Sequence, residues 1–126
     1  MSKSELEEKL AWQIRVAGLQ EPYRQYKFHP TRKWPVDFCW LGQKVIVEVE
    51  GGIWSRAGAK KCPVCGQTEG GAHGRGAGIV RDIEKYNAAT LLGFRVYRVT
   101  STMIHDGSAL ALIENALKEH QTNNSG

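Results

Sequence analysis

Apolar and polar positions along the chain follow two periods that alternate. In "SELEEKLAWQIRVAGL", Leu6, Leu10, Ile14 and Ala17 recur at helical spacing, which predicts a first helix with Ser4 as N-cap and Gly18 near its end. Glu5 and Lys9 stand four apart and are expected to pair along it. "YRQYKFH" reads as a strand, "PTRK" as a loop, and "WPVDFCW" and "KVIVEVE" as two more strands joined by a two-residue turn at Gly42-Gln43. The helical period returns in "IVRDIEKYNAATLLG", where Ile79, Ile83, Thr90 and Leu91 share one side and Gly93 closes the helix. "FRVYRVT" predicts a fourth strand, and "SALALIENALKEH" a last helix capped by Ser108, with "QTNNSG" as a frayed tail. The order helix, three-strand antiparallel meander, helix, strand, helix defines an α/β domain around a mixed sheet. Because the fourth strand follows a helix, a crossover lays that helix over one face.

Residues 51–78 carry neither period and are dense in Gly and basic side chains. A long Gly-rich insertion of this kind after the third strand is commonly functional. Within it, Cys62 and Cys65 form a C-P-x-C-G turn, which aims two sulfurs at one ion as in a zinc knuckle. His73 is a natural third zinc ligand, and a fourth can come from Cys39, another His or a symmetry partner. Cys39 also fits as a small buried residue beside Asp37, and Cys62 and Cys65 as two free thiols. No strand leads into the C-x-x-C and no helix follows it, which argues against a thioredoxin-like redox pair. His73 can alternatively touch a phosphate.

Composition narrows the class. The 126 residues fit a single domain, 1–126, and 41% hydrophobic with 24% charged residues is ordinary for a soluble fold. No apolar run approaches the roughly 20 residues of a membrane span, and the N-terminus lacks a signal-peptide core. A cytoplasmic protein without a membrane partner is the expectation. The net charge of +4 leans toward a polyanionic partner, and three cysteines suit metal chemistry better than a disulfide framework.

The chemistry concentrates in "VDFCWLGQKVIVEVEGG". With Leu41 facing Lys44 across the turn, Asp37 sits opposite Glu48, and Glu50 shares the face of Glu48 and Ile46. Like charges directly opposite destabilise a sheet, so removing one is expected to stabilise it. Their coexistence makes sense if a divalent cation lies between them. The plainer alternative is a half-exposed sheet whose acids are neutralised by nearby Lys and Arg. Gly51-Gly52 lets backbone or ligand approach closely where the strand would otherwise continue.

Asp37, ten residues, then Glu48-Val49-Glu50 at the end of an apolar strand resembles the PD-(D/E)XK nuclease signature. With its flanks, "VDF…VIVEVEGG…RDIEKYNAATLLGFRVYRVT", the chain from about Ser4 to Thr100 is similar to small phage and bacterial endonuclease-like proteins related to the very-short-patch-repair endonuclease. The resemblance implies a restriction-endonuclease-like core and hydrolysis of DNA phosphodiester bonds with Mg²⁺ or Mn²⁺. It implies Asp37 and Glu48 as metal ligands, with the Val49 carbonyl as a third. The signature's lysine position holds Glu50, which can orient water, act as a general base or join a second metal site. The lysine can instead have moved to Lys85, three residues from Asp82 on one helical face, although both also read as surface charges. Glu7 matches the acid such families place on the first helix near the metal. It equally completes a Ser4-x-x-Glu7 capping box, with no metal involved.

Arg24, Lys27, Arg32 and Lys33 alternate with Tyr23, Tyr26, Phe28 and Trp34, and Arg75 ends the Gly-rich stretch. Phosphate contacts of this kind bring affinity without sequence information. The bland counterpart is a strand with core aromatics and solvated charges. Two functions remain, a metal-dependent DNA endonuclease and a non-catalytic DNA-binding module, the latter zinc-stabilised or a degenerate nuclease. Three acids facing a phosphate speak for the nuclease. Analogy with small nucleases that cut two strands adds a homodimer to the expectations.

Overall fold

The computed structural model describes residues 1–50 and 75–125, excluding the side chains of 75–79 and 119–125. Helix α1 (Lys3–Val16) is capped by Ser2, not Ser4. Ser2 Oγ accepts the Glu5 N–H at 3.1 Å, and the Glu5 carboxylate accepts the Ser2 N–H at 2.7 Å. The capping box therefore forms two residues earlier than the pattern suggested. Glu5 is consumed by it, and Lys9 lies 3.1 Å from His105 Nδ1 instead of pairing with Glu5. Glu7 is left free to turn inward.

Strands β1 (Tyr23–Lys27), β2 (Pro35–Trp40) and β3 (Val45–Glu50) are antiparallel neighbours, and β4 (Arg95–Thr100) joins β3 in parallel. The crossover between β3 and β4 carries helix α2 (Arg75–Leu91). The β2–β3 connection keeps the expected register, with Phe38 opposite Val47, but its geometry differs. The positive φ of 60° falls on Lys44 rather than Gly42, and the Lys44 N–H closes on the Leu41 carbonyl at 3.2 Å. Four residues, 41–44, thus separate the Trp40–Val45 pair.

After β4 comes a short helix that no periodicity announced, α3 (Ser101–Asp106). Thr100 Oγ1 caps it, and Gly107 at φ 89° ends it. Helix α4 (Ser108–Ser125) begins at Ser108 itself, whose N–H bonds the Asp106 carboxylate at 2.8 Å. It continues through the tail expected to fray.

Two apolar clusters flank the sheet. Phe38, Trp40, Val45, Val47, Val49 and Val99 pack against Leu6, Leu10 and Ile14 of α1, Ile104 of α3 and Ile113 of α4. Val36, Cys39 and Ile46 pack with Phe28, Trp34, Phe94 and Ala89 of α2. Burying Leu6, Leu10 and Ile14 at about 1.5–3 kcal/mol each fixes α1, and with it Glu7, on the sheet. Among the described residues, no helix is long and apolar enough to cross a membrane.

Candidate active site

The β2–β3 ladder gives way where the acids begin. Beyond the Phe38–Val47 pair, each strand's carboxylate bonds the other strand's backbone. Glu48 Oε2 accepts the Asp37 N–H at 2.8 Å, and Asp37 Oδ2 accepts the Val49 N–H at 2.8 Å. Both carboxylates are buried, 4% exposed for Asp37 and 6% for Glu48. Each carboxylate thus takes a backbone N–H that the ladder leaves over, and so two buried acids on facing strands coexist without tearing the sheet.

The remaining partners come from opposite layers. Toward α2, Glu48 Oε1 accepts Lys85 Nζ at 2.6 Å and the Tyr86 hydroxyl at 3.1 Å. Lys85 also donates to the Pro35 carbonyl at 2.8 Å, and its side chain is only 11% exposed. Lys85 is therefore no surface lysine. Asp82, by contrast, is exposed. Burial pushes the Glu48 carboxyl above its ordinary range, and the Asp37 charge adds to this against the downward pull of Lys85 and the Asp37 N–H. Burial likewise pushes Tyr86 well up, helped by Glu48, Glu50 and Asp82, so its hydroxyl stays a donor.

Toward α1, Lys3 Nζ bridges Glu7 Oε2 at 2.9 Å and Asp37 at 3.0 Å and 3.1 Å. Burial lowers the Lys3 pKa, but its bonds to Glu7 and Asp37 outweigh that and hold it raised. Gln25 Nε2 makes a second bridge, to Glu7 Oε1 at 2.9 Å and Asp37 Oδ1 at 3.2 Å. Glu7 is thus 8% exposed and faces the acids, not the helix cap. Gln25 reaches them from a left-handed backbone, φ 50°, inside β1. A non-Gly residue held there stores about 1–2 kcal/mol of strain. Gln25→Gly should therefore be more stable than Gln25→Ala by about 1 kcal/mol in urea unfolding, the reverse of the ordinary strand order. Equal midpoints, or a more stable alanine variant, would show that no strain is stored there.

Glu50 sits beside Arg98 of β4, whose Nε donates to Glu50 Oε2 at 2.8 Å and whose guanidinium lies over the Tyr86 ring. The bond to Glu50 holds Arg98 well above its usual value. Of the basic residues, Arg24 pairs with Glu8 at 2.9 Å and lies over Phe38. Arg32 lies over Trp34 and 4.0 Å from Glu84. Lys27 and Lys33 are exposed, and Lys27 is opposite Pro35, whose carbonyl holds Lys85. This segment therefore flanks the acids. Its aromatics do not offer a stacking platform, because Phe28 and Trp34 are core and only Tyr23 is largely exposed. Arg75 opens α2, with its side chain outside the described residues. Cys62, Cys65 and His73 also lie outside them. Cys39 is fully buried, and burial pushes its thiol up to about 11.

Among the described residues, no group of three or more His, Cys, Asp or Glu side chains is arranged to hold a metal ion as it stands. A cation already lies between Glu7 and Asp37, the ammonium of Lys3. The donor set suits a hard cation, being carboxylate oxygen throughout. Among the described residues, Glu48 Oε2 accepts only the Asp37 N–H, which leaves a lone pair. Glu7, Asp37 and Glu48 are thus the residues whose oxygens could hold a divalent ion.

Spacing did not single out Lys3, Gln25, Tyr86 or Arg98. Lys3 stands four residues before Glu7, and Gln25 falls opposite Asp37 once β1 is registered on β2, so both left a trace. The Arg98–Glu50 pair depends on the parallel β3–β4 register, which no local pattern encodes.

No protein-family model and no curated protein matches the chain. Its fold is similar to the solved structure of the "Homing Endonuclease I-Bth0305I Catalytic Domain", with a TM-score of 0.57 over 91% of this chain and 95% of that one, at 19% identity. The mixed α/β architecture is thus the fold of that domain, with the acids of β2 and β3 at one end of its sheet.

Proposed function

We propose that this protein is a metal-dependent endonuclease that hydrolyses DNA phosphodiester bonds, with a site of the PD-(D/E)XK type. One observation carries the reading: buried Asp37 and Glu48, clasped to each other's strand, share their site with a half-buried lysine. Asp37 and Glu48 are the ligands for Mg²⁺ or Mn²⁺, and Glu7 is a third acid. Such an ion, when bound, polarises the scissile phosphate and lowers the pKa of an attacking water. Lys85 takes the lysine role from α2 in place of Glu50. Two of its three donors are used, by Pro35 and Glu48, and the third is left for a phosphate oxygen on which charge develops. Tyr86 fixes Glu48 Oε1, and Glu50 keeps Oε1 for a water while Arg98 holds Oε2. Arg24, Lys27, Arg32, Lys33 and Arg75 supply backbone contacts to DNA.

The endonuclease neighbour supports the reading through its fold. A phage or bacterial DNA-processing role and a homodimer accord with the sequence resemblance. Incubating the full chain with labelled duplex, single-stranded and four-way-junction DNA, in Mg²⁺, Mn²⁺ or EDTA, tests the function. A second reading, a DNA-binding module derived from a nuclease, is favoured by the protein donors already on every oxygen of Asp37 and Glu48. It forecasts binding to these substrates without cleavage in any metal.

We further propose that Cys62 and Cys65, with His73 as a third ligand, hold a structural zinc ion in a Gly-rich stretch with too little apolar surface to fold by itself. Thiolates select zinc and the carboxylates select Mg²⁺, so the two ions do not compete. Elemental analysis of protein purified without chelator should find about one zinc per chain. A Cys62→Ser, Cys65→Ser double variant should lose it, and zinc-free wild-type protein would refute the site.

A further inference from the structure

We propose that Lys3 is a tethered cation that occupies the divalent-ion position between Glu7 and Asp37 and leaves it when metal binds. The inference rests on the metal-dependent reading of the same site and adds a control element to it. The two lysines at the acids are held very differently. Lys85 is 11% exposed and anchored by both a carbonyl and a carboxylate, whereas the Lys3 side chain is 49% exposed and, among the described residues, bonds only the two acids. Lys3 also stands at the first position of α1, beside the capping residue, so its flexible stem can swing outward without disturbing the packed turns at Leu6 and Leu10.

Charge balance points the same way. Four carboxylates (Glu7, Asp37, Glu48 and Glu50) face three cations (Lys3, Lys85 and Arg98). With Lys3 in place the cluster carries one net negative charge. Without Lys3 and without metal it carries two, which is costly for buried acids. A divalent ion in place of Lys3 brings it to zero. Lys3 therefore keeps the empty site folded and sets a threshold that the metal must exceed. Because an occupied site lowers apparent affinity by the fraction of molecules that are competent, removing Lys3 should tighten metal binding.

Calorimetric titration of the full chain with Mn²⁺, alongside thermal unfolding with and without the ion, tests this without any reference to activity. Lys3→Gln is expected to bind Mn²⁺ on the order of fivefold more tightly than wild type, the scale of one partly exposed ion pair. Its metal-free unfolding midpoint should fall, and Mn²⁺ should raise it by more than it raises the wild type. Lys3→Arg, which keeps the charge, should bind as wild type does, as should Lys118→Gln, a change of the same charge at an exposed position of α4. Equal or weaker Mn²⁺ affinity in Lys3→Gln overturns the inference alone. Absence of Mn²⁺ binding from both wild type and Lys3→Gln overturns it together with the metal-dependent reading.

Discussion

Lys85→Ala is expected to slow single-turnover DNA cleavage by about 10²- to 10³-fold while changing DNA affinity little. The lysine is locked between the Pro35 carbonyl and Glu48, so its charge is placed before substrate arrives and costs no reordering during reaction. A surface lysine of equal charge would act differently, lowering affinity and its salt dependence while leaving the bound rate alone. Lys85→Ala also strands Glu48 with Tyr86 and one backbone N–H. Metal-free stability should therefore fall by about 3 kcal/mol in urea, the scale for removing one partner of a buried pair. An unchanged single-turnover rate in folded Lys85→Ala would return the lysine's role to Glu50.

Asp37→Asn and Glu48→Gln should each abolish metal-dependent cleavage and leave DNA binding nearly intact, yet they should differ in stability. Cross-strand repulsion alone suggests that both removals stabilise. The structure reverses this for Asp37, whose oxygens accept Lys3, Gln25 and the Val49 N–H. An amide there places a donor against donors, and the metal-free protein should lose about 1–3 kcal/mol. For Glu48, burial and the Asp37 charge hold the carboxyl above its ordinary value against the pull of Lys85, so its ionised form costs more in the folded than in the unfolded chain. The contribution of the protonated form is full below the unfolded value and is lost as pH rises through the folded one. Glu48→Gln also sets an amide against the Lys85, Tyr86 and Asp37 N–H donors, but relief of the burial cost offsets part of that loss, so it should lose less stability than Asp37→Asn. Thermal unfolding in EDTA at neutral pH separates the two variants. An Asp37→Asn protein more stable than wild type would contradict the bonding assigned to its carboxylate.

The sheet was legible because its strands are short runs rich in Val and aromatic residues bounded by turn residues, and because the register follows from Leu41 and Lys44, even though the turn itself was misjudged. Register counting survives such an error, since the same two residues face each other whichever one carries the positive φ. Helix α3 was not legible, being six residues long and therefore too short for a period to develop. The first helix was misplaced because Ser2-x-x-Glu5 and Ser4-x-x-Glu7 satisfy the same capping pattern. Only packing decides between them, and it turns Glu7 toward Asp37. Asp37 and Glu48 could be paired from spacing and Lys85 named from the resemblance, whereas Gln25 and Arg98 depend on strand neighbours that meet only in the folded sheet.

Cleavage of end-labelled DNA, followed on denaturing gels for wild type and folded Asp37→Asn in Mg²⁺, Mn²⁺ and EDTA, is the most direct test of a metal-dependent site built on the β2–β3 acids. Wild type should cut at least one of the duplex, single-stranded and junction substrates in Mg²⁺ or Mn²⁺ and none in EDTA, and Asp37→Asn should cut none while still binding. Cleavage by Asp37→Asn at the wild-type rate, or wild-type binding without cleavage of any of the three, would contradict it.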